Sequence, residues 1–397
     1  MKISLIQPGR NNLKYLKWSY DSVRKNQGDH EVEICIADDF SNDGTWDWCQ
    51  DIMKKDSNFK AIRNEGPTRL GHTILYDRLV NEVASHDICM IYHADMYLCP
   101  GAIDAIERYI KPKTIVSLTR IEPPLHPPGP EKILKDFGIE PEEFKEEDLL
   151  HFLYRNEKLL GRVTTGIFAP WAFYKKDFQE IGGHDELYAP QSKEDSDIFN
   201  RFQLNGVHFT QTWRGCVYHM TCRGSRFADG AKRNPDGQVF MKNRETDEWL
   251  KQNQKATREF IRKWGHFVKH DEYLKPIIPP KYDIGLIIDN ANKQLIEGLE
   301  PWCSTVYCDY NVSDYIEQEN TSFDLYNKFL KYDDDKENEI LVKLDGRNFT
   351  QQDYKYIQQL AEIIADSGEP GSFDLGNLHI TINSLKTFEK ELIICKK

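Results

Sequence analysis

The chain has 397 residues, 39% hydrophobic and 29% charged, a globular composition at a length that predicts two domains rather than one. Lys and Arg number 52 against 64 Asp and Glu, and the resulting net charge of −12 disfavours bulk binding to nucleic acid or anionic membranes. No apolar run reaches the roughly eighteen residues of a membrane span, no secretory signal is recognisable, and the nine cysteines contain no C-x-x-C pair. A cytoplasmic protein without structural zinc or a disulfide framework is expected.

In chain order, apolar runs at Ile3 to Gln7, Val32 to Ala37, Lys60 to Arg63, Ile88 to Tyr92 and Thr114 to Leu118 predict strands. They alternate with helical patterns at Leu13 to Lys25, Thr45 to Lys54, Arg69 to Ala84 and Gly101 to Ile110, the order of βα units around a largely parallel sheet. The proline-rich stretch Pro123 to Pro130 breaks the pattern and opens an acidic insertion ending at Lys158. Alternation returns with a strand at Val163 to Ala169, a helix at Lys193 to Leu204, a strand at Val207 to Val217 and a long helix at Glu245 to Trp264. Lys275 to Lys281 reads as a linker. Beyond it a second, smaller α/β pattern has strands at Ile284 to Ile288, Thr305 to Cys308, Ile340 to Leu344 and Leu392 to Cys395, with helices near Asn290 to Gly298 and Tyr354 to Ala365.

Chemistry concentrates where strands end. Asp38 and Asp39 close an apolar strand and open Asp38-Asp39-Phe40-Ser41-Asn42-Asp43-Gly44-Thr45, at the edge of a parallel sheet where ligands usually bind. His93 and Asp95 close another, on alternate positions that share a face. A carboxylate beside an imidazole suits a divalent cation on a diphosphate, while His93 by itself is more simply bonded to a neighbouring strand. Glu194 and Asp195 start a helix, whose N-terminus favours an ionised carboxylate. Asp197 and Arg201 stand four residues apart and read as a surface ion pair.

These motifs, with Asn64-x-Gly66, Arg69, Ile181-Gly182-Gly183-His184-Asp185-Glu186 and Lys193-Glu194-Asp195, resemble in order the GT-A glycosyltransferases of family 2 over about residues 1 to 220. The resemblance implies a Rossmann-like α/β domain over 1–270 that binds a UDP-, GDP- or dTDP-sugar, followed by a small α/β domain over 281–397 of unknown role. It implies donor-nucleotide contacts at Pro8, Arg10, Asp38, Asp39, Arg69, His93 and Ala94, and Mn2+ or Mg2+ held by Asp95 and, in some relatives, a residue matching His219. His93 stands where the family has the first acid of its metal motif, which puts the usual ribose contact in question. Asp195, with Glu194, falls at the general base, and Gly183, His184 and Asp185 at the acceptor site. The signature of processive members is missing from its place, so transfer of a single sugar to a glycan or other hydroxyl acceptor, with inversion, is expected. Arg223 and Arg226, in a basic glycine-containing stretch, are candidates to close over the diphosphate. The C-terminal domain is a candidate for homo-oligomer formation. Two rivals are a sugar nucleotidyltransferase, for which Gln7-Pro8-Gly9-Arg10-Asn11-Asn12 is too poor in glycine and arginine, and a non-catalytic nucleotide- or glycan-binding protein, against which Asp95 and the Glu194-Asp195 pair speak.

Overall fold

A computed structural model describes residues 1–156, 159, 161–224 and 226–395; Lys158 at the end of the expected insertion and Ser225 in the basic stretch lie outside them. The chain divides into two compact units, Met1–Asn253 with His270–Pro276 and the last residues from Ile394, and Gln254–Lys269 with Ile277–Ile393. Among the described residues no helix is long and apolar enough to cross a membrane.

The first unit begins β1 (Lys2–Gly9), α1 (Leu13–Asn26), β2 (Glu31–Asp39), α2 (Thr45–Met53), β3 (Phe59–Asn64), α3 (Gly71–Arg78), β4 (Ile88–Ile91), β5 (Met96–Leu98), α4 (Ala102–Tyr109) and β6 (Thr114–Glu122). It continues β7 (Lys132–Leu134), α5 (Glu146–Arg155), β8 (Val163–Thr164), β9 (Trp171–Tyr174), α6 (Lys175–Glu180), α7 (Glu194–Leu204) and β10 (His208–His219). Its main sheet has the order β3-β2-β1-β4-β9-β6-β10-β5, with β7 added to β6 and β8 to β10. The strands β1 to β4 are mutually parallel where they pair, as are β6 and β10, while β5, β8 and β9 run antiparallel to their neighbours. Helices cover the sheet, so β1 and β2 are buried along nearly their whole length and read as continuous apolar runs rather than alternating ones. The core between them joins Ile3, Leu5, Ile34 and Ile36 to Leu16 and Val23 of α1.

The mixed α/β class agrees with the sequence, and several boundaries do not. The expected strand Val163 to Ala169 shrinks to Val163–Thr164, and a separate strand, Trp171–Tyr174, follows on the far side of Pro170. The expected helix Arg69 to Ala84 starts only at Gly71 and ends in a wider π turn, Leu79–Val83. Asp197 and Arg201 are not a surface pair: both side chains are fully buried, bonded at 2.7 Å, with Arg201 also donating to the Ile181 carbonyl at 2.9 Å.

The second unit has a six-stranded sheet ordered Phe329–Leu330, Thr305–Tyr307, Ile284–Asp289, Ile340–Asp345, Leu378–Ile382 and Gly371–Leu375. Its first four strands are parallel, and the last two form an antiparallel hairpin. Leu392 to Cys395, expected as a strand, is instead the end of a short 3₁₀ turn and the tail after it. The helix expected at Tyr354 to Ala365 is two, Gln351–Gln358 and Leu360–Ser367. Beneath the sheet Arg262 is buried among Glu300, Glu319 and Glu259, at 2.6, 2.9 and 3.3 Å.

Candidate active site

The ends of β1 and β2 lie side by side, with Pro8 opposite Ala37 and Gly9 opposite Asp38. The loops that follow are tied together: Asn11 donates its backbone N–H to Ser41 Oγ at 2.9 Å, and Asp43 accepts from the backbone of Leu13 and Thr45 at 3.0 and 3.1 Å. Asp38 is fully buried; Oδ1 accepts the Ser41 N–H at 3.2 Å, and Oδ2 lies 3.4 Å from Arg63 Nε. Burial pushes its carboxyl upward. Asp39 is the anchor of the next loop. It accepts from Asn64 Nδ2 at 2.7 Å and from the backbone N–H groups of Leu70 and Gly71 at 3.1 and 2.9 Å, with Arg69 Nε 3.8 Å away. Gly71 has φ +75°, and a Cβ there would come within 2.2 Å of the Pro190 carbonyl oxygen, so glycine is required where α3 begins. Arg10 lies 6.0 Å from the Phe40 ring, and its Nε is buried without a hydrogen-bond partner among the described residues.

The cation corner depends on sheet register. The chain turns at His93-Ala94-Asp95 between β4 and β5, and β10 runs antiparallel to β5 with His219 opposite Met96. The Met220 N–H donates to the Asp95 carbonyl at 3.0 Å, and Ala94 is buried in the turn. The potential ligand atoms of His93, Asp95 and His219 all lie within 4.8 Å of one another. Burial, then the charge of His219, lowers His93 to about 3, which leaves a neutral imidazole able to bind a metal. Against its burial, the charge and hydrogen bond of His219 hold Asp95 down at about 2. Against its own burial, Asp95 and then Glu122 push His219 up to about 9, so a positive charge is favoured at the spot where a divalent cation would sit. Two imidazoles and a carboxylate form a donor set suited to such an ion, and the residues present fit it.

Glu194 and Asp195 open α7 after Ser192 and Lys193, both with positive φ. Burial, then the charge of Asp195, raises Glu194 to about 8. Burial also raises Asp195, opposed by the charges of His184 and Arg120. Burial thus outweighs the helix N-terminus that the sequence reading relied on, raises both carboxyls and disfavours two negative charges side by side.

His184 is 1% exposed. Its Nδ1 and its backbone N–H both meet Asp77 Oδ1, at 2.9 and 3.0 Å, and its ring stacks on Tyr76 and meets Phe178 edge-on. Gly183 has φ +70°, and a Cβ would come within 2.3 Å of Asp77 Oδ2. Asp185 accepts the Leu187 N–H at 3.0 Å and caps a short 3₁₀ turn, Glu186–Tyr188. Arg223 donates to the carbonyl of Cys222 at 3.0 Å and pairs with Glu140 at 3.2 Å; Arg226 lies 4.1 Å from the Trp249 ring and pairs with Glu245 at 3.1 Å. Both arginines are thus held by the protein itself.

His93, Asp95 and His219 are brought together. Burial and the charges of Asp195, Glu194 and Asp95 all push the buried Tyr76 hydroxyl upward. The sequence reading missed Tyr76, Asp77, Arg120 and Glu122. Only Glu122 had a local signal, an acid a few residues beyond the apolar run of β6.

Residues 4–182 match the sequence model described as glycosyl transferase family 2. The abequosyltransferase RfbV of Salmonella typhimurium is 28% identical over 111 residues, 28% of this chain and 33% of that protein. The chain thus spans about a third of the length of the curated relative it matches. Among solved structures, GalNAc-T7 with UDP, GalNAc and Mn2+ overlaps 55% of this chain and 43% of its own at 15% identity and a TM-score of 0.42. The mannosyltransferase PcManGT from Pyrobaculum calidifontis, in complex with GDP-Man and Mn2+, overlaps 55% of this chain and 56% of its own at 16% identity and a TM-score of 0.39.

Proposed function

We propose that this chain, whose residues 4–182 match the glycosyl transferase family 2 model, is an inverting, metal-dependent glycosyltransferase that moves one sugar from a nucleoside-diphosphate sugar to a hydroxyl of a glycan or similar acceptor. The observation that carries this reading is the His93, Asp95 and His219 donor set, whose potential ligand atoms all lie within 4.8 Å of one another, with the buried Glu194–Asp195 pair near enough that its charges and that of Asp95 all act on Tyr76. Nine free thiols suit a reducing, cytoplasmic setting.

In this reading His93, Asp95 and His219 hold a divalent cation, and Mn2+ suits two imidazoles better than Mg2+, which prefers oxygen ligands. A cation held there offsets the negative charge that builds on a departing diphosphate. Pro8, Arg10 and Asp38 line the end of β1 and β2 on the nucleoside side, and Asp39 and Arg69 shape the loop beside it. Asp195 takes the proton from the acceptor hydroxyl as its oxygen attacks the anomeric carbon, and the neutral Glu194 beside it keeps a second negative charge out of the site. One in-line displacement inverts the anomeric centre.

The test is nucleotide binding by calorimetry, with UDP, GDP and dTDP, each with Mn2+, Mg2+ or neither, on the parent chain and on Asp95→Asn. One nucleotide is expected to bind in a Mn2+-dependent way and to lose that dependence in the variant. Mn2+-dependent binding that is unchanged in Asp95→Asn overturns the cation site, and no binding of any nucleotide overturns the donor assignment.

A further inference from the structure

Behind the donor set sits a carboxylate that nothing in the motif pattern singles out. Glu122, the last residue of β6, is 2% exposed, and its Oε1 lies 2.8 Å from His219 Nδ1. The carboxylate is itself fixed from behind: Arg120 Nε approaches Oε1 at 2.9 Å and Lys132 Nζ approaches Oε2 at 3.2 Å. Lys132 comes from β7, whose parallel pairing with β6 sets it opposite Arg120. Glu131 completes the group, 3.0 Å from Lys132 and 3.4 Å from Arg120, so two cations are balanced by two carboxylates. On the other side of the same imidazole, His219 Nε2 lies 3.4 Å from Asp95 Oδ1.

We propose that Glu122 is a positioning residue of the cation site, holding one proton of His219 on Nδ1 so that Nε2 is the nitrogen left to offer its lone pair to a cation beside Asp95 and His93. An imidazole binds a metal through one ring nitrogen, and the group accepting a hydrogen bond from the other fixes both the tautomer and the ring plane. The inference rests on the cation reading above and concerns how this chain builds its third ligand. Glu122 does not touch the cation; it acts through His219.

The experiment titrates Mn2+ alone into the full chain, following free Mn2+ by electron paramagnetic resonance. The variants are Glu122→Leu, Glu122→Gln and Glu131→Gln, with Asp95→Asn as the reference loss. The three glutamate variants remove the same unit of charge from the same cluster, but only Glu122→Leu leaves His219 Nδ1 without an acceptor. Loss of a partner behind a metal ligand typically costs ten- to a hundredfold in affinity, so Glu122→Leu is expected to weaken Mn2+ by about that much. Glu122→Gln, which retains an amide oxygen, should weaken it clearly less, and Glu131→Gln should stay near the parent. Equal losses in Glu122→Leu and Glu131→Gln overturn the inference, because the effect is then charge alone. A second readout needs no variant to fold: the ring-nitrogen shifts of His219 in the parent with Zn2+ should report an Nδ1–H tautomer, and an Nε2–H tautomer overturns the inference. Mn2+ binding lost in Asp95→Asn but kept in Glu122→Leu sinks this inference alone, whereas a parent that binds no Mn2+ sinks the cation reading and this inference with it.

Discussion

His219 and His184 are built alike. Each is a buried imidazole whose Nδ1 meets a buried carboxylate, Glu122 at 2.8 Å and Asp77 at 2.9 Å. They differ in what lies beyond the second nitrogen. His219 Nε2 faces Asp95 and the His93 ring, at 3.4 Å from the carboxylate and with the two ring centroids 5.8 Å apart. His184 Nε2 is buried with no hydrogen-bond partner among the described residues, in a slot closed by Tyr76 and Phe178. The same pairing of imidazole and carboxylate thus aims a ligand in one place and ties down a tight turn in the other. A histidine in a motif cannot be assigned from its type; the environment of its far nitrogen decides.

The largest expected effect tests whether the His184 side of the site is the chemical side. Asp195→Asn should leave Mn2+-dependent nucleotide binding near the parent and lower transfer by about a hundredfold or more, the usual scale for a general base. Transfer at the parental rate removes Asp195 from that role. Next in size is His219→Gln, which should weaken Mn2+ by at least about tenfold because a coordinating nitrogen is lost, while His184→Phe leaves Mn2+ affinity alone. If both substitutions weaken Mn2+ equally, the contrast between the two histidines fails. Instead, His184→Phe should appear in stability. It strips the Nδ1–H from Asp77 and leaves a buried carboxylate with fewer donors, a loss of about 1–3 kcal/mol measurable by urea unfolding. An unchanged midpoint would mean that the Asp77–His184 bond contributes nothing to the fold.

What was legible in the sequence follows from range. Strands β1, β2, β4 and β6 were readable because burial on both faces writes them as largely apolar runs, and Asp38, Asp39, His93 and Asp95 were readable as the polar residues that end or follow those runs. Their duties were not. Asp39 reads as a ligand contact, and nothing in the sequence signals that its oxygens also accept from Asn64, Leu70 and Gly71, partners at and beyond the end of β3. Glu122 meets His219 across 97 residues, and only the register of β6, β10 and β5 brings them together. In the second unit the signal was present but outweighed. Phe373 and Leu375 alternate before Gly376-Asn377, and Leu378, Ile380 and Ile382 alternate after it, the pattern of a hairpin around a tight turn, whereas Leu392 to Cys395 is apolar without alternation. Buried polar pairs are the other blind spot: the spacing of Asp197 and Arg201 is correct for a helix-surface pair, and burial turns it into an internal tie to Ile181.

The last test concerns the carboxyl next to the proposed base. Burial, then the charge of Asp195, raises Glu194 from about 4.5 to about 8, so the folded protein holds a proton that the unfolded chain releases. Between those two pH values the folded state binds more protons than the unfolded one. Stability from this group is therefore complete below about pH 4.5 and is lost as pH rises through about 8. Glu194→Gln stays neutral in both states and lacks that dependence. Urea midpoints measured at pH 5, 7 and 8.5 should show the parent losing ground to the variant step by step, and parallel curves would mean that Glu194 is ionised in the folded protein. In that case the second carboxylate sits beside Asp195 as a charge, and the Asp77–His184 side of the site would have to balance two negative groups rather than one.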